Sequence, residues 1–309
     1  MTVTAFSRER TPDRPGPGPM PEALLRALDM KIGRRIDGLL TGEHRTAALG
    51  IGTELAQIRQ WEPGDDVRRI DWNATARSNE VQVRVDVAER ALTSWVLLDV
   101  SPSMRFGTAD RRKWDVAEGV AVALGHLASR RGNRIGVTTF GGNESVLLRP
   151  RQGRVGLLGV LLTVRREPET ERVGPTSIGT ALMQVARVAR QRSLAVVVSD
   201  FRGPRDWRSA MIRIAARHAV VVVEIRDPRE QELPNVGHIW LVDPETGRKL
   251  HVDTAKRKLR ERFAEAAAEE RAGLGRELAA LGVPHLVLST SGDWLRPFAG
   301  FVSREGRRR

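Results

Sequence analysis

From residue 91 to residue 289, short apolar runs alternate with stretches of helical spacing, and two of the runs end in an acid. Residues 95–99 (Trp-Val-Leu-Leu-Asp) and 194–200 (Leu-Ala-Val-Val-Val-Ser-Asp) are too short for buried helices and read as buried strands. Between and after them, residues 113–130 place Val116, Val120, Leu124 and Leu127 on one helical face. Residues 134–140 form a strand with a short one at 145–148, and 153–164 and 177–190 are helical. Asp206 caps a helix to about residue 217, and the apolar run 219–225 follows. Residues 237–252 read as a hairpin around Pro244-Glu-Thr-Gly247, 254–281 as a long helix, and 284–289 as a last strand. Strands alternating with helices imply an α/β fold, a doubly wound, mostly parallel sheet with helices on both faces. Ligands of such sheets sit at the carboxyl ends of the strands. Asp99 and Asp200 both lie at such ends, so the inferred topology brings two acids to one rim.

The first acid opens Asp99-Val100-Ser101-Pro102-Ser103. Oxygen-bearing side chains at i, i+2 and i+4 after a buried strand can turn inward around one point, and such oxygens suit Mg²⁺ or Mn²⁺. Taken alone, this run also reads as a capped turn. Thr176, on a loop entering the helix 177–190, offers a further hydroxyl, and Ser199-Asp200 offers the second acid.

Asp-x-Ser-x-Ser, then Thr before Ile-Gly-x-Ala-Leu, then a strand ending Ser-Asp, resembles the metal-ion-dependent adhesion site of von Willebrand factor A domains. The resemblance implies a metal set of Asp99, Ser101, Ser103, Thr176 and Asp200. Ser101, Ser103 and Thr176 would be hydroxyl ligands, and the two acids would act largely through metal-bound water. Met104 fits the family's Ser-Met pairing as a packing residue. The sixth position of such a site takes a carboxylate from a binding partner, which makes the metal an adhesive contact. A haloacid-dehalogenase-type phosphatase would want an acid where Ser101 stands, and nothing near these residues looks like a nucleophile paired with a general base.

Upstream lies a polar block: Gly42-Glu-His44, Gly50-Ile-Gly-Thr-Glu54, and Arg59-Gln-Trp-Glu-Pro-Gly-Asp-Asp-Val-Arg-Arg-Ile-Asp-Trp-Asn-Ala-Thr-Ala-Arg77. Pro63 to Asp66 is a tight turn followed by capping acids. Arg59, Arg68, Arg69 and Arg77 lie close in sequence to Asp65, Asp66, Asp71 and Glu89, enough for buried bidentate ion pairs, although the three aspartates could instead form a second metal site. Trp61 and Trp72 read as apolar anchors, and Val81, Val83, Val85 and Val87 as a half-buried strand. His44, without a second ligand at metal spacing, reads as a structural residue, with a catalytic base or metal ligand as the alternative.

This block, with Asp227-Pro228, Pro234 and the Glu245-Thr-Gly247 turn, resembles the domain-of-unknown-function-58 family over residues 35–290. Many members carry a pair of N-terminal membrane helices that this sequence lacks, and Trp61 stands where Tyr is commoner. The resemblance implies partnership with a MoxR-type AAA+ ATPase, in which the von Willebrand protein links the motor to a client supplying an Asp or Glu to the metal. The expected organisation is a disordered tail at 1–21, a smaller N-terminal module containing β-strands at 22–90, the metal-binding domain at 91–290 and a basic tail at 291–309. Residues 22–40 have helical spacing at Leu24, Leu25, Leu28, Ile32, Ile36 and Leu39.

Composition bounds the alternatives. There is no cysteine, which excludes disulfides and thiolate chemistry. No apolar run is long enough to span a membrane, and the start of the chain has no apolar signal-peptide centre, so a cytoplasmic protein is expected. The net charge of +13 raises the question of nucleic acid, but the basic residues are spread along the chain. With 5% aromatic residues and no Tyr, stacking platforms are few. Nearly all the positive charge is arginine; lysine occurs only at Lys31, Lys113, Lys249, Lys256 and Lys258. There is no Walker lysine loop, so the chain is not itself an ATPase. The reading that results is a non-enzymatic, Mg²⁺-dependent adaptor. A metal-dependent hydrolase using His44 and the acidic turn, and a basic nucleic-acid binder, are the competing readings.

Overall fold

The computed structural model describes residues 49–87, 92–130, 132–164 and 176–305. The expected tail at 1–21, the helical spacing at 22–40, His44 and Glu89 lie outside the described residues.

The N-terminal module is built on β1 (Leu49–Gln60) and β2 (Gln82–Val87), paired antiparallel with Arg59 opposite Val83. The valine alternation at 81–87 predicts β2. It does not predict β1, whose Gly50 and Gly52 and lack of alternation make it read as irregular. The ladder itself is irregular there, with register shifts between Leu49 and Glu54 and between Leu55 and Gln57. Between the two strands stands the short helix α1 (Trp72–Ser78), capped by Asp71, whose carboxylate accepts from the amides of Asn73 and Ala74.

The main domain is a six-stranded sheet of β3 (Thr93–Asp99), β4 (Arg134–Phe140), β5 (Leu147–Gln152), β6 (Leu194–Ser199), β7 (Ala219–Arg226) and β10 (His285–Ser289). Their order is β5-β4-β3-β6-β7-β10. Every pairing is parallel except that of β5, an antiparallel edge. Counted along the chain, this is third-second-first-fourth-fifth-sixth, the doubly wound order whose reversal lies between the first and fourth strands. That places the switch point between β3 and β6, the two strands that end at the acids.

Consecutive residues of β3 belong to different cores. Val96 and Leu98 pack with α2 (Lys113–Arg130), α3 (Gly153–Val164) and α7 (Leu295–Glu305), whereas Trp95 and Leu97 pack with α4 (Ile178–Val188), α5 (Trp207–Ala215) and α6 (Arg257–Ala280). A strand covered on both faces needs apolar residues at every position, which is why these strands read as continuous apolar runs. A separate hairpin, β8 (His238–Val242) with β9 (Lys249–Asp253), forms its own two-stranded sheet. No helix among the described residues is long and apolar enough to cross a membrane.

Two expectations change. Asp206 precedes α5 but makes no side-chain cap there. Its carboxylate instead accepts from the Ser177 hydroxyl at 2.5 Å and the Gly179 amide at 3.4 Å, serving the N-terminus of the neighbouring helix α4. Residues 291–309, read as a basic tail, contain α7, which with Trp294 buries Phe298, Phe301 and Val302 in the core. Charge at its end hides an apolar face in its middle. Gly119 of α2 permits this docking, because a Cβ there would lie 2.4 Å from the Trp294 ring. Phe298→Ala is expected to lower unfolding free energy by about 3–5 kcal/mol in urea denaturation; a loss below about 1 kcal/mol would mean that α7 is not part of the core.

Candidate metal centre

Asp99 ends β3 with its side chain buried. One carboxylate oxygen accepts from the Ser101 amide at 2.9 Å, and the other from the Ser199 hydroxyl at 2.5 Å. The chain then turns through a 3-10 segment, Pro102–Arg105, that keeps Ser103 and Met104 buried. The Ser101 and Ser103 hydroxyls lie 3.0 Å apart. Gly141, after β4, makes room for this loop. Its φ is +85°, and a Cβ there would sit 2.8 Å from an Asp99 oxygen and 2.9 Å from Ser101 Cβ. Glycine takes that backbone without a steric penalty and leaves that space. Among the described residues no Lys, Arg or His pairs with Asp99. Burial, and then the nearby charge of Asp200, push its carboxyl up to about 7.

Asp200 is in the opposite condition. Burial would raise its pKa, but the Lys113 ammonium beside it prevails, and hydrogen bonds from Lys113, Ser103 and the Arg202 amide help to hold it below the usual carboxylate range. Lys113 Nζ donates to Asp200 at 2.5 Å and to Glu230 at 2.7 Å, and the lysine side chain has no solvent exposure. Glu230 is fixed in turn by a capping box with Asp227. The buried Asp227 carboxylate accepts from the Thr108 amide and hydroxyl and from the Thr290 hydroxyl. Phe201, immediately after Asp200, has a left-handed φ of +54°, a costly conformation for a bulky residue. It is held by the hydrogen bond its amide donates to Ser199 Oγ and by an edge-on contact with Trp207.

Thr176 enters from the loop before α4, and Ser177 caps that helix through the Thr180 amide. The buried Thr176 hydroxyl donates to Glu245 Oε2 at 3.1 Å, and the Ser103 amide approaches Glu245 Oε1 at 3.4 Å. Burial raises the pKa of Glu245, with the charge of Asp200 adding to the effect.

The structure thus brings Asp99, Ser101, Ser103, Thr176 and Asp200 into one hydrogen-bonded network at the switch point of the sheet. The sequence reading missed Lys113, Glu230 and the inward course of Glu245. Lys113 left one signal: it is one of five lysines in a chain whose positive charge is otherwise arginine.

The polar block comes out differently. Arg59 forms a bidentate pair with Asp65 at 2.7 and 2.8 Å, but both side chains are partly exposed. Asp66 caps a turn through the Arg68 amide, and Arg77 donates to the Asn73 carbonyl. Asp71 pairs with Arg84, which the spacing did not single out. The three aspartates are therefore engaged separately and share no site. Trp72 is 70% exposed, so it is not an anchor.

Residues 57–273 match the family model described as "Protein of unknown function DUF58". The chain belongs to the DUF58 family. Uncharacterized proteins of Mycobacterium bovis and Mycobacterium tuberculosis are each 39% identical over 287 residues, covering 92% of this chain and 90% of theirs. Among solved structures, the conserved hypothetical protein BatB of Bacteroides thetaiotaomicron aligns with a TM-score of 0.46 at 14% identity, covering 70% of this chain and all of that one. A von Willebrand factor type A protein of Catenulispora acidiphila aligns with a TM-score of 0.40 at 14% identity, covering 73% of this chain and 43% of that one.

In this DUF58 protein the donor set at the rim is all oxygen, from two acids and three hydroxyls. Among the described residues no group of three or more His, Cys, Asp or Glu is arranged to hold a metal ion. A cation here would therefore rest on hydroxyls and water as well as carboxylates, which fits hard Mg²⁺ and not Zn²⁺. Asp99 has no cationic partner among the described residues, and Gly141 lets the Ser101 loop lie against it. Lys113 belongs to the scaffold of the site. Lys113→Met leaves Asp200 and Glu230 buried without their cation, and a stability loss of roughly 3–5 kcal/mol is expected in urea denaturation. A change near zero would show that the two acids are neutralised by another route.

Proposed function

We propose that this DUF58 protein is a non-enzymatic, Mg²⁺-dependent adaptor whose metal centre docks an acidic side chain of another protein. The observation that carries this reading is the pairing of charges at the rim: Asp200 has its own buried ammonium, whereas Asp99 has only hydrogen-bond donors. Ser101, Ser103 and Thr176 would hold the ion through their hydroxyls, and Asp99 and Asp200 would act through its bound waters. When bound, Mg²⁺ offers a Lewis-acidic position to an oxygen ligand. The chain's own residues do the positioning. Ser199 and the Ser101 amide orient Asp99, Lys113 fixes Asp200, and Gly141 keeps the loop close. By the resemblance of its family, the partner class is a MoxR-type AAA+ ATPase working on a client protein, and the compartment is the cytoplasm.

In thermal unfolding, Mg²⁺ is expected to raise the midpoint of the wild type, the stabilisation growing as RT ln(1 + [Mg²⁺]/Kd). Asp99→Asn should lose that response. In EDTA at pH 8 the same variant should match or exceed the wild type, by up to roughly 1–3 kcal/mol, because it removes a buried, unpaired charge. A wild type indifferent to Mg²⁺ and Mn²⁺ would refute the metal reading. Capture of the cognate ATPase should fail in EDTA and with Asp99→Ala; capture unaffected by either would refute the adaptor contact.

A further inference from the structure

The turn of the β8–β9 hairpin is built to aim one acid at the rim. Asp243 organises it: its carboxylate accepts from the Glu245 amide at 3.0 Å and the Thr246 hydroxyl at 2.6 Å, and its carbonyl accepts from the Gly247 amide at 2.8 Å. Gly247 takes a φ of +68° to close the turn. Thr246, Gly247 and Arg248 face solvent, while Glu245 is half-buried and reaches Thr176 and Ser103. Both contacts are to residues of the docking network, from 69 and 142 positions away in the chain.

The hairpin's attachment is separate from the main core. Ile239 and Leu241 pack with Phe106 and Leu233 in a cluster of four buried residues, and Phe106 directly follows the 3-10 segment that carries Ser103. A two-stranded hairpin is marginal by itself, so its position depends on that small cluster and on Glu245. A carboxylate held against a hydroxyl ligand and a loop amide has the chemistry of a partner's acid.

We infer that Glu245 is the chain's own carboxylate ligand at the docking position, placed by the β8–β9 turn, so that an acidic partner engages the centre by exchanging with it. This rests on the metal reading above. The wild-type centre then carries one water fewer on its ion than an unplugged centre, and the hairpin gates access.

The test uses the full chain with Mn²⁺ as the probe, measuring affinity by calorimetry and bound water by proton relaxation. Glu245→Ala is expected to weaken Mn²⁺ binding at least roughly 10- to 100-fold, the loss that removal of an outer-shell partner already causes. Its bound ion should show higher water relaxivity than the wild type. Millimolar acetate should restore low relaxivity in Glu245→Ala and leave the wild type unchanged, a rescue that a purely structural role for the side chain would not give. Glu245→Gln keeps the hydrogen-bonding shape without the charge and should behave as Glu245→Ala does. Equal affinity and relaxivity in wild type and both variants would overturn the inference while leaving the metal reading intact. Absence of Mn²⁺ binding by the wild type would overturn both.

Discussion

The buried ammonium of Lys113 holds the carboxyl rim of the sheet together. An ammonium taken fully out of water costs several kcal/mol unless it is paired and hydrogen-bonded, so Asp200 and Glu230 are obligatory partners. Those three residues come from the start of α2, the end of β6 and the turn after β7. Their pairing therefore fixes a helix against two strands at the point where the acids gather. The capping box of Asp227 and Glu230 extends the restraint, and the Thr108 and Thr290 bonds to Asp227 carry it to the loop after Ser103 and to the end of β10. The strained backbone of Phe201 is tolerable because this network surrounds it.

Charge at the rim runs against the charge of the chain. The protein as a whole carries +13, yet Asp99, Asp200, Glu230 and Glu245 gather there with Lys113 as their buried cation. One ammonium satisfies two of these acids. Asp99 is left to amide and hydroxyl donors, and Glu245 to Thr176 and Ser103. A local surplus of negative charge in a low-dielectric rim is where a divalent cation gains most. Lys113 is committed to two partners, and Asp99 is enclosed by Ser101, Ser199 and Gly141.

The N-terminal module has a different character. Its ion pairs lie near the surface, where they contribute little to stability, and they serve mainly to shape turns: Asp65 closes the loop after β1, and Asp71 starts α1. The family match begins at residue 57 and runs through both modules to 273. Val67 and Trp72 stand exposed on the module.

Local order was legible in the sequence wherever one period dominates. The helices at 113–130 and 153–164 and the strand at 134–140 follow from hydrophobic spacing to the residue. The strand endings were enough to put Asp99 and Asp200 at one rim, because a parallel sheet aligns its carboxyl ends. β1 escaped notice because glycines break its alternation, and α7 because terminal arginines mask a buried face. What only the tertiary structure decided is which groups meet. Lys113 finds its acids 87 and 117 residues away, and Glu245 reaches Ser103 across 142. No periodicity encodes such contacts. They exist because burial forces each charge to find a partner, and the fold alone determines which one lies within reach.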